Sequence, residues 1–311
     1  MRAIRGIVAP LVACALVFTH LAIAATPAER GRDWLSGQVG ANGAIASEAA
    51  SVALPIESRA EALHALSQLS AAPSALADAV AQDGATPTEL IARRAVALAA
   101  AQRDVSALPA VLLARQSADG GIAPAPGYWP TAIDTAWFLL ACKAATCPST
   151  AVANAVSFLR AARGADGSFG VLGESSVVVT SLALAGLQAH AGAHDVAQPA
   201  ADARAWLLAA RSQDHYGSTL HNALAVLALA AGAPDPTPLA GPQEALRLAQ
   251  GADGSWAGDP FLTALAVRAL LAGGSLPLAP GFHGLVVEQA TGAPLAGVTV
   301  SASGPQSASM A

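Results

Sequence analysis

The sequence contains few charged and few aromatic residues. Of its 311 residues, 12% are charged and 4% are aromatic, and the formal net charge is −5. No cluster of basic residues stands out, so the composition gives no support for binding to nucleic acid. In contrast, 54% of the residues are hydrophobic. This balance suits one sizeable helical domain of about 250 residues with an ample core.

A short motif recurs along the chain. Its fullest copy is Gln-Gly-Ala-Asp-Gly-Ser-Trp at 250–256, and two close copies lie at 163–169 and 116–122. Looser copies begin near positions 38 and 211, and a degenerate copy begins near position 82. Successive copies are 34 to 48 residues apart, which is enough for two helices and their turns. A period of this length indicates a repeat protein whose units are stable only when they pack on one another.

Each repeat combines two kinds of helix. The first keeps polar positions, such as Arg160 and Arg163, which is typical of a helix with one solvated face. The second is apolar on nearly all sides, as in segments 132–140 and 261–267, and is therefore predicted to be buried. Six such pairs predict an all-α fold in which about six outer and six inner helices close a ring.

The Asp-Gly step of the motif is predicted to form the turn between paired helices. Glycine accepts the positive φ that ends a helix, and aspartate can hydrogen-bond to the backbone of a turn. The aromatic or aliphatic residue two positions after the glycine is predicted to fold back as a plug between repeats. The structural positions of the motif are Gln116, Asp119, Gly120, Asp166, Gly167, Phe169, Gln250, Asp253, Gly254 and Trp256.

The motif resembles the QW motif of the prenyltransferase and squalene oxidase repeat. The resemblance covers about residues 30–273, with one full copy, two good copies and three degenerate ones. It implies the squalene cyclase-like α/α toroid, the fold of triterpene cyclases, protein prenyltransferase β subunits and complement-type thioester domains. Because this fold hosts unrelated activities, the resemblance alone assigns no function.

Residues 1–24 are predicted to be a secretory signal peptide. A basic start, an apolar run and an Ala-x-Ala site at 22–24 are typical of such a segment. Two alternatives stay open. The run is long enough for an uncleaved membrane anchor, and the stretch 11–14 resembles a lipobox that would lipidate Cys14. The protein is therefore expected to be exported, to the periplasm, the outer cell envelope or the medium.

The C-terminal part of the sequence differs from the ring in composition. Residues 274–281 are rich in glycine and proline and are predicted to be a linker. Within 282–311, alternating β-formers at 284–287 and 298–301 flank a Thr-Gly-x-Pro turn and predict a β-hairpin. This segment resembles the opening of a carboxypeptidase regulatory-like β-sandwich, of which it supplies only part. We therefore expect a fragment of a longer envelope protein, with self-association through the unfinished β segment.

The remaining cysteines are predicted to pair. Cys142 and Cys147 form an even set in an oxidising compartment, which favours a disulfide in the turn after the third inner helix. A metal site needs about four ligands, and no cluster of cysteine or histidine lies nearby. No metal and no other cofactor is predicted.

The resemblance directs attention to the start of the third inner helix. Triterpene cyclases that protonate an alkene carry Asp-x-Asp-Asp-Thr-Ala there, and this chain has Thr-Ala-Ile-Asp-Thr-Ala at 131–136. Asp134 matches the end of that motif, but Ile133 stands where the family has its proton donor. The chain also lacks the Asp-x-Cys expected of a prenyltransferase zinc site and the Cys-Gly-Glu-Gln of a thioester domain.

Five further residues are candidates for ligand contact. Tyr128 and Trp129 lie in a proline-rich loop that is predicted to cover one mouth of the ring, whereas Asp134, Trp137 and His221 lie on inner helices. Asp134, Trp137 and His221 each have a structural explanation as well: the helix dipole for Asp134, core packing for Trp137 and a helix start for His221. The loop with Tyr128 and Trp129 is therefore the best single candidate for ligand contact.

These observations predict an exported, non-catalytic toroid that serves as a binding or scaffolding module at the cell envelope. Its partner would be an unknown protein or an apolar small molecule. The alternative is a terpenoid cyclase-like or prenyltransferase-like enzyme, with Asp134 as its acid, or a carrier. Either would hold an isoprenoid or another apolar ligand in the ring cavity.

Overall fold

The computed structural model describes residues 25–231 and 237–272, together with the backbone of 300–302 and 308–310. These described residues form twelve α-helices: α1 Pro27–Gln38, α2 Pro55–Gln68, α3 Ser74–Gln82, α4 Thr88–Ala100, α5 Leu108–Leu113, α6 Ala132–Ala144, α7 Ser149–Ala162, α8 Val177–Gln188, α9 Ala197–Ala209, α10 Thr219–Ala230, α11 Ala240–Leu248 and α12 Pro260–Ala272. Short 3₁₀ helices span Glu48–Ala50 and Thr237–Leu239. Strands β1 Gly170–Val171 and β2 Glu174–Ser175 form a small antiparallel hairpin before α8.

The even-numbered helices form a closed inner ring. Each packs against the next, from α2 through α4, α6, α8 and α10 to α12, and α12 packs against α2. The odd-numbered helices lie outside, and α1 bridges the closure because it packs on both α12 and α2. The predicted all-α toroid of six helix pairs is therefore confirmed.

A common cap begins four of the inner helices. The side chains of Thr131, Ser176, Ser218 and Asp259 each accept a hydrogen bond from the backbone N–H three residues later. This bond satisfies one of the donors that a helix start leaves free. The residue that follows this N–H along each helix has a side-chain oxygen that accepts a hydrogen bond from the backbone N–H of a plug residue. This bond fixes the position of the plug. The plugs are the buried residues Ile122, Phe169, Tyr216 and Trp256.

The Asp-Gly turns join neighbouring repeats. Gly254 has a φ of +91°, and a Cβ there would lie 2.7 Å from the backbone oxygen of Arg30 in α1. Glycine is required on both counts, since other residues rarely adopt positive φ and space for a side chain is missing. Beside it, the Gln250 amide donates to the carbonyls of Gly254 and Pro27, at 2.8 Å each. The last repeat is thereby fastened to the first helix.

The two ends of the chain fall mostly outside this description. The predicted signal peptide at 1–24, the linker at 274–281 and the strand at 284–287 lie outside the described residues. Near the C-terminus, β3 Val300–Ala302 pairs antiparallel with β4 Ala308–Met310, a partner that the sequence analysis did not foresee. Among the described residues, no helix is both long and apolar enough to cross a membrane.

Candidate functional site

A buried arginine lies between inner helices of the ring. Arg93, in the middle of α4, forms ion pairs with Glu61 at 3.1 Å, with Glu89 at 2.6 Å and with Glu57 at 3.6 Å. Its guanidinium carbon lies 4.2 Å from the ring centroid of Trp137, a cation–π contact. The arginine therefore meets carboxylates from α2 and α4 and an aromatic face from α6.

Glu61 links this arginine to a second one. Arg268 of α12 donates to the other carboxylate oxygen of Glu61, so one carboxylate lies between two guanidinium groups. Burial opposes ionisation of Glu61, but the positive charges of Arg268 and Arg93 outweigh burial, and the pKa of Glu61 is lowered. A buried charge is tolerated only when it is paired in this way. We call Glu57, Glu61, Glu89, Arg93 and Arg268 the central ion cluster.

A cavity opens on the side of this cluster where the inner helices end. Its volume is about 500 Å³, within the range of small-molecule sites. All six inner helices line it through their middle and C-terminal turns, so they all run in the same direction. Its walls are mainly alanine, leucine and valine: Val96, Ala99, Ala100, Leu140, Ala144, Leu182, Ala185, Ala189, Leu224, Leu227, Ala228, Ala231 and Leu265.

A few polar groups interrupt the apolar walls. His64 lines the cavity. Burial together with the nearby charge of Arg268 lowers the pKa of His64 to about 3, so its imidazole is neutral at physiological pH. The lining also includes Trp137, Lys143, Ser181, Gln188 and Arg268. The indole Nε1 of Trp137, the hydroxyl Oγ of Ser181, the amide Oε1 of Gln188 and the guanidinium Nε of Arg268 are buried and find no hydrogen-bond partner within the described part of the chain.

Asp134 lies at the opposite end of the inner helices. It is buried at the third position of α6, where its carboxylate accepts a 2.6 Å hydrogen bond from the Thr131 hydroxyl. Burial raises the pKa of Asp134, the Thr131 hydrogen bond partly opposes that effect, and the negative charge of Glu89 adds to it. Asp134 thus has the electrostatic character of a carboxyl that holds its proton more firmly than usual.

The structure separates the residues that the sequence brought together as candidates. Trp137 lines the cavity, whereas Asp134, His221, Tyr128 and Trp129 do not. His221 occupies the third position of α10, as Asp134 does in α6. Tyr128 and Trp129 precede α6 and are 69% and 88% exposed, so they lie on the outer surface at the helix-start end.

Several polar residues were not predicted from the sequence, namely Glu61, His64, Ser181 and Arg268 in the cavity lining and Arg93 in the ion cluster beside it. The sequence does contain a pattern that indicates the charged residues among them. Arg268 is the one charged residue in the otherwise apolar sequence of α12, and Glu61 and Arg93 lie on the inner helices α2 and α4. A charge at a buried position requires a partner.

A disulfide lies at one end of the cavity lining. Cys142 and Cys147 form a disulfide at the end of α6, beside the cavity lining residue Lys143. Within the described ranges, no group of three or more histidine, cysteine, aspartate or glutamate side chains is placed to hold a metal ion.

Comparisons with known proteins give matches of structure only. No family model and no curated protein sequence matches the chain. The fold matches ent-copalyl diphosphate synthase from Streptomyces platensis, with 19% identity and a TM-score of 0.56. That match covers 71% of this chain and 50% of the synthase, so the chain corresponds to half the length of that protein.

Shorter proteins match along nearly their whole length. A protein from Actinoplanes matches with 18% identity and a TM-score of 0.60, covering 79% of this chain and 98% of that one. A variant of the type II terpene cyclase MstE from Scytonema, in complex with its substrate geranylgeranyl dihydroxybenzoate, matches with 14% identity and a TM-score of 0.57. This second match covers 79% of our chain and 96% of the cyclase.

These structures correct the prediction of a non-catalytic binding or scaffolding module. The neighbours include the type II terpene cyclase MstE with substrate or product bound, so in those structures the same fold belongs to an enzyme. The departure at Ile133 from the cyclase motif at 131–136 concerns one local segment, and it does not exclude an enzyme on a fold that hosts several activities. The chain has the α/α toroid fold of type II terpene cyclases, and the alternative of an enzyme or carrier for an apolar ligand is the one that the comparison favours.

Proposed function

We propose that the ring takes an apolar small molecule of the isoprenoid class into its central cavity. The observation that carries this proposal is the cavity of about 500 Å³, walled by apolar side chains of all six inner helices. Removal of an alkyl chain from water into such a pocket is favourable by about 25 cal/mol per Å² of apolar surface. The isoprenoid substrate named for the MstE complex supports the choice of ligand class.

We further propose that the protein acts on this molecule as a terpene cyclase-like enzyme, with Asp134 as its acid. Because Asp134 does not line the cavity, this role requires part of the ligand to reach past the central ion cluster to the end where the inner helices begin. Burial raises the pKa of Asp134 and favours its protonated form. A protonated carboxyl can donate its proton to an alkene, which leaves a carboxylate on the protein and a carbocation on the ligand. A catalytic acid needs a raised pKa of this kind to carry its proton at neutral pH.

A carrier is the second candidate, and specific observations favour it. Ile133 occupies the place of the family's proton donor, and Asp134 is absent from the residues that line the cavity. In a carrier the ligand would be held and released unchanged, and the central ion cluster would serve only as the floor of the cavity.

One experiment separates binding, turnover and carriage. The purified protein is incubated with geranylgeranyl and farnesyl compounds, and extracts are compared by mass spectrometry with those from Asp134→Asn. A cyclised product that disappears in Asp134→Asn supports the enzyme. Unchanged ligand that co-purifies with both proteins supports the carrier.

The matched control tests the cavity itself. Ala185→Trp, in the cavity wall, is expected to abolish ligand uptake, whereas Ala161→Trp, on the exposed face of α7, is expected to leave it unchanged. If both variants take up ligand as the parent protein does, the ligand does not lie in this cavity and the proposal is wrong.

The remaining sequence expectations are part of this proposal. We propose that the six repeats are QW-type copies, that the chain is exported behind a signal peptide at 1–24, and that residues 282–311 begin a carboxypeptidase regulatory-like domain. The Asp-Gly turns and the Gln250 contacts support the first of these. Self-association through the C-terminal β segment would appear as a dimer in light scattering that is lost on truncation at position 273.

A further inference from the structure

One residue of the cavity lining carries a charge without a protein partner. Lys143 is the only lysine in the sequence, and it lies in the last turn of α6, where it lines the cavity and is exposed. Its ammonium group has no hydrogen-bond or ion-pair partner within residues 25–231 and 237–272. In contrast, each arginine in those two ranges donates to a carboxylate, amide or carbonyl oxygen. Lys143 is therefore the one such cation of the described residues that is free to bind a ligand.

The helix dipole does not account for this lack of a partner. A cation in the last turn of a helix is favoured by the partial negative charge at that end. Arg160 and Arg247 occupy the last turns of α7 and α11, and both pair with a carboxylate as well, on Asp195 and Glu244. Lys143 has the same place in its helix but no carboxylate beside it, so its charge is available at the cavity.

This charge lies at the rim of the cavity. Among the lining residues, only Lys143 and Ala231 are exposed, and they lie at the C-terminal ends of α6 and α10. Glu61, at the opposite limit of the cavity, is buried and bound by Arg93 and Arg268. A ligand in the cavity thus meets a cation at the rim, apolar walls below it and a neutralised carboxylate at the floor.

The other polar groups of the lining do not compete for a charged ligand. His64 is neutral at physiological pH, because burial and the charge of Arg268 lower its pKa to about 3. Beside Lys143, burial also lowers the pKa of His190, so this imidazole does not double the positive charge. Four more residues have unpaired polar atoms with almost no accessible surface, which a ligand cannot reach: Trp137, Ser181, Gln188 and Arg268.

Two contacts hold the last turn of α6 in place. The disulfide joins Cys142, the residue before Lys143, to Cys147 in the turn after the helix. From the end of α8, the Nε2 of His190 donates to the carbonyl of Leu139 at 2.8 Å. The backbone of Lys143 is thereby fixed at the rim, while its long flexible side chain can place the ammonium over the mouth.

We infer that the isoprenoid ligand carries a single carboxylate, which binds to Lys143 at the rim while the hydrocarbon body packs against the apolar walls. This inference rests on the proposed function, since it assumes that the cavity takes an isoprenoid. One ammonium group matches the charge of one carboxylate. A diphosphate would bring further negative charges to a rim that offers no second free lysine or arginine among the described residues, and their desolvation would go uncompensated. An isoprenoid acid is the class that the cavity selects.

A head-group series tests the inference on the full chain. Dissociation constants are measured by calorimetry for one farnesyl chain that ends in a carboxylate, its methyl ester, an alcohol or a diphosphate. We expect the carboxylate to bind about fivefold more tightly than the ester, which is the upper end of what an exposed ion pair contributes. This preference is expected to shrink as the salt concentration is raised, because salt screens exposed charges. The diphosphate is expected to bind more weakly than the carboxylate.

Three variants assign the preference to one side chain. Lys143→Gln is expected to abolish the preference for carboxylate over ester and to leave the affinity for the ester unchanged, which a merely structural role would not produce. Lys143→Arg keeps the charge and is expected to retain the preference. Arg160→Gln removes the same charge from an exposed site outside the cavity lining, and it is the control that is expected to change nothing.

The outcomes are distinguishable from failure of the proposed function. Equal affinity for carboxylate and ester, tightest binding of the diphosphate, or a preference that survives in Lys143→Gln overturns the inference about Lys143 while the isoprenoid cavity stands. An equal loss of preference in Arg160→Gln would show that net charge alone is responsible, and it also overturns the inference. No binding of any farnesyl compound overturns the proposed function itself.

Discussion

The two ends of the ring are built differently. At the end where the inner helices begin, capping side chains, Asp-Gly turns and buried plugs tie most of the repeats to their neighbours. At the end where they stop, alanine-rich turns surround a cavity with mainly apolar walls. The two ends therefore differ in role. Residues that determine the fold are concentrated at one end, which leaves the other end free to fit a ligand.

The largest effect is expected from removal of a plug at the helix-start end. Trp256 is fully buried, and its Nε1 donates to the carbonyl of Leu246 at 2.7 Å. Trp256→Ala is expected to lower the free energy of unfolding by about 3–5 kcal/mol, because a large cavity and an unpaired carbonyl remain. Urea titration measures this change. Trp129→Ala removes the same side chain from a site that is 88% exposed, and a change of about 0.5 kcal/mol or less is expected.

The central ion cluster, which separates the two ends, comes next. Glu61→Gln leaves Arg268 and Arg93 without their shared carboxylate and is expected to cost about 3 kcal/mol of unfolding free energy. The control is Asp78→Asn, whose partner Arg103 is 43% exposed, and about 1 kcal/mol or less is expected there. Equal losses in the two variants would show that burial of the cluster has been overestimated.

The disulfide allows a test at the cavity end. The pair Cys142–Cys147 closes a loop with a sequence separation of only 5, so the loss of unfolded-state entropy is small. Replacement of both cysteines by alanine is expected to cost about 2 kcal/mol. Addition of a reducing agent to the parent protein should produce the same loss and should leave the double variant unaffected. A larger loss would mean that the bridge also holds the end of α6 in place.

The last expected effect is absent at neutral pH and is a change in how stability depends on pH. The pKa of His64 is lowered from 6.5 to about 3 in the folded chain, so the unfolded state binds a proton that the folded state does not. Its contribution to stability is complete above pH 6.5 and is lost progressively as the pH falls towards 3. His64→Gln should therefore show a shallower decline of unfolding free energy with acid.

The control for this experiment is His221→Gln, which lies outside the cavity lining. It should follow the acid profile of the parent protein. Identical profiles for the parent and His64→Gln would mean that water reaches His64 freely in the folded state.

The fold was more predictable from the sequence than the site was. The motif positions Asp253 and Gly254 carry local turn chemistry, and this chemistry is legible in a short window of sequence. The candidate residues share no such window. Trp137 lines the cavity, whereas Asp134, three residues earlier, lies at the other end of the inner helices. Two residues that are three apart in a helix differ in height along its axis and in direction around it. Proximity in the sequence therefore does not show which of them contacts a cavity.

The ring is predictable from the sequence, because the same caps, turns and plugs recur in most of its repeats and each acts over a few residues. The site depends instead on contacts between distant helices. Glu61 and Arg268 are 207 positions apart, and they meet at the centre because α12 closes against α2. The ionisation of Glu61 and the neutrality of His64 both depend on which distant helices surround these side chains. Burial and partnership are properties of the assembled ring, and no single repeat contains them.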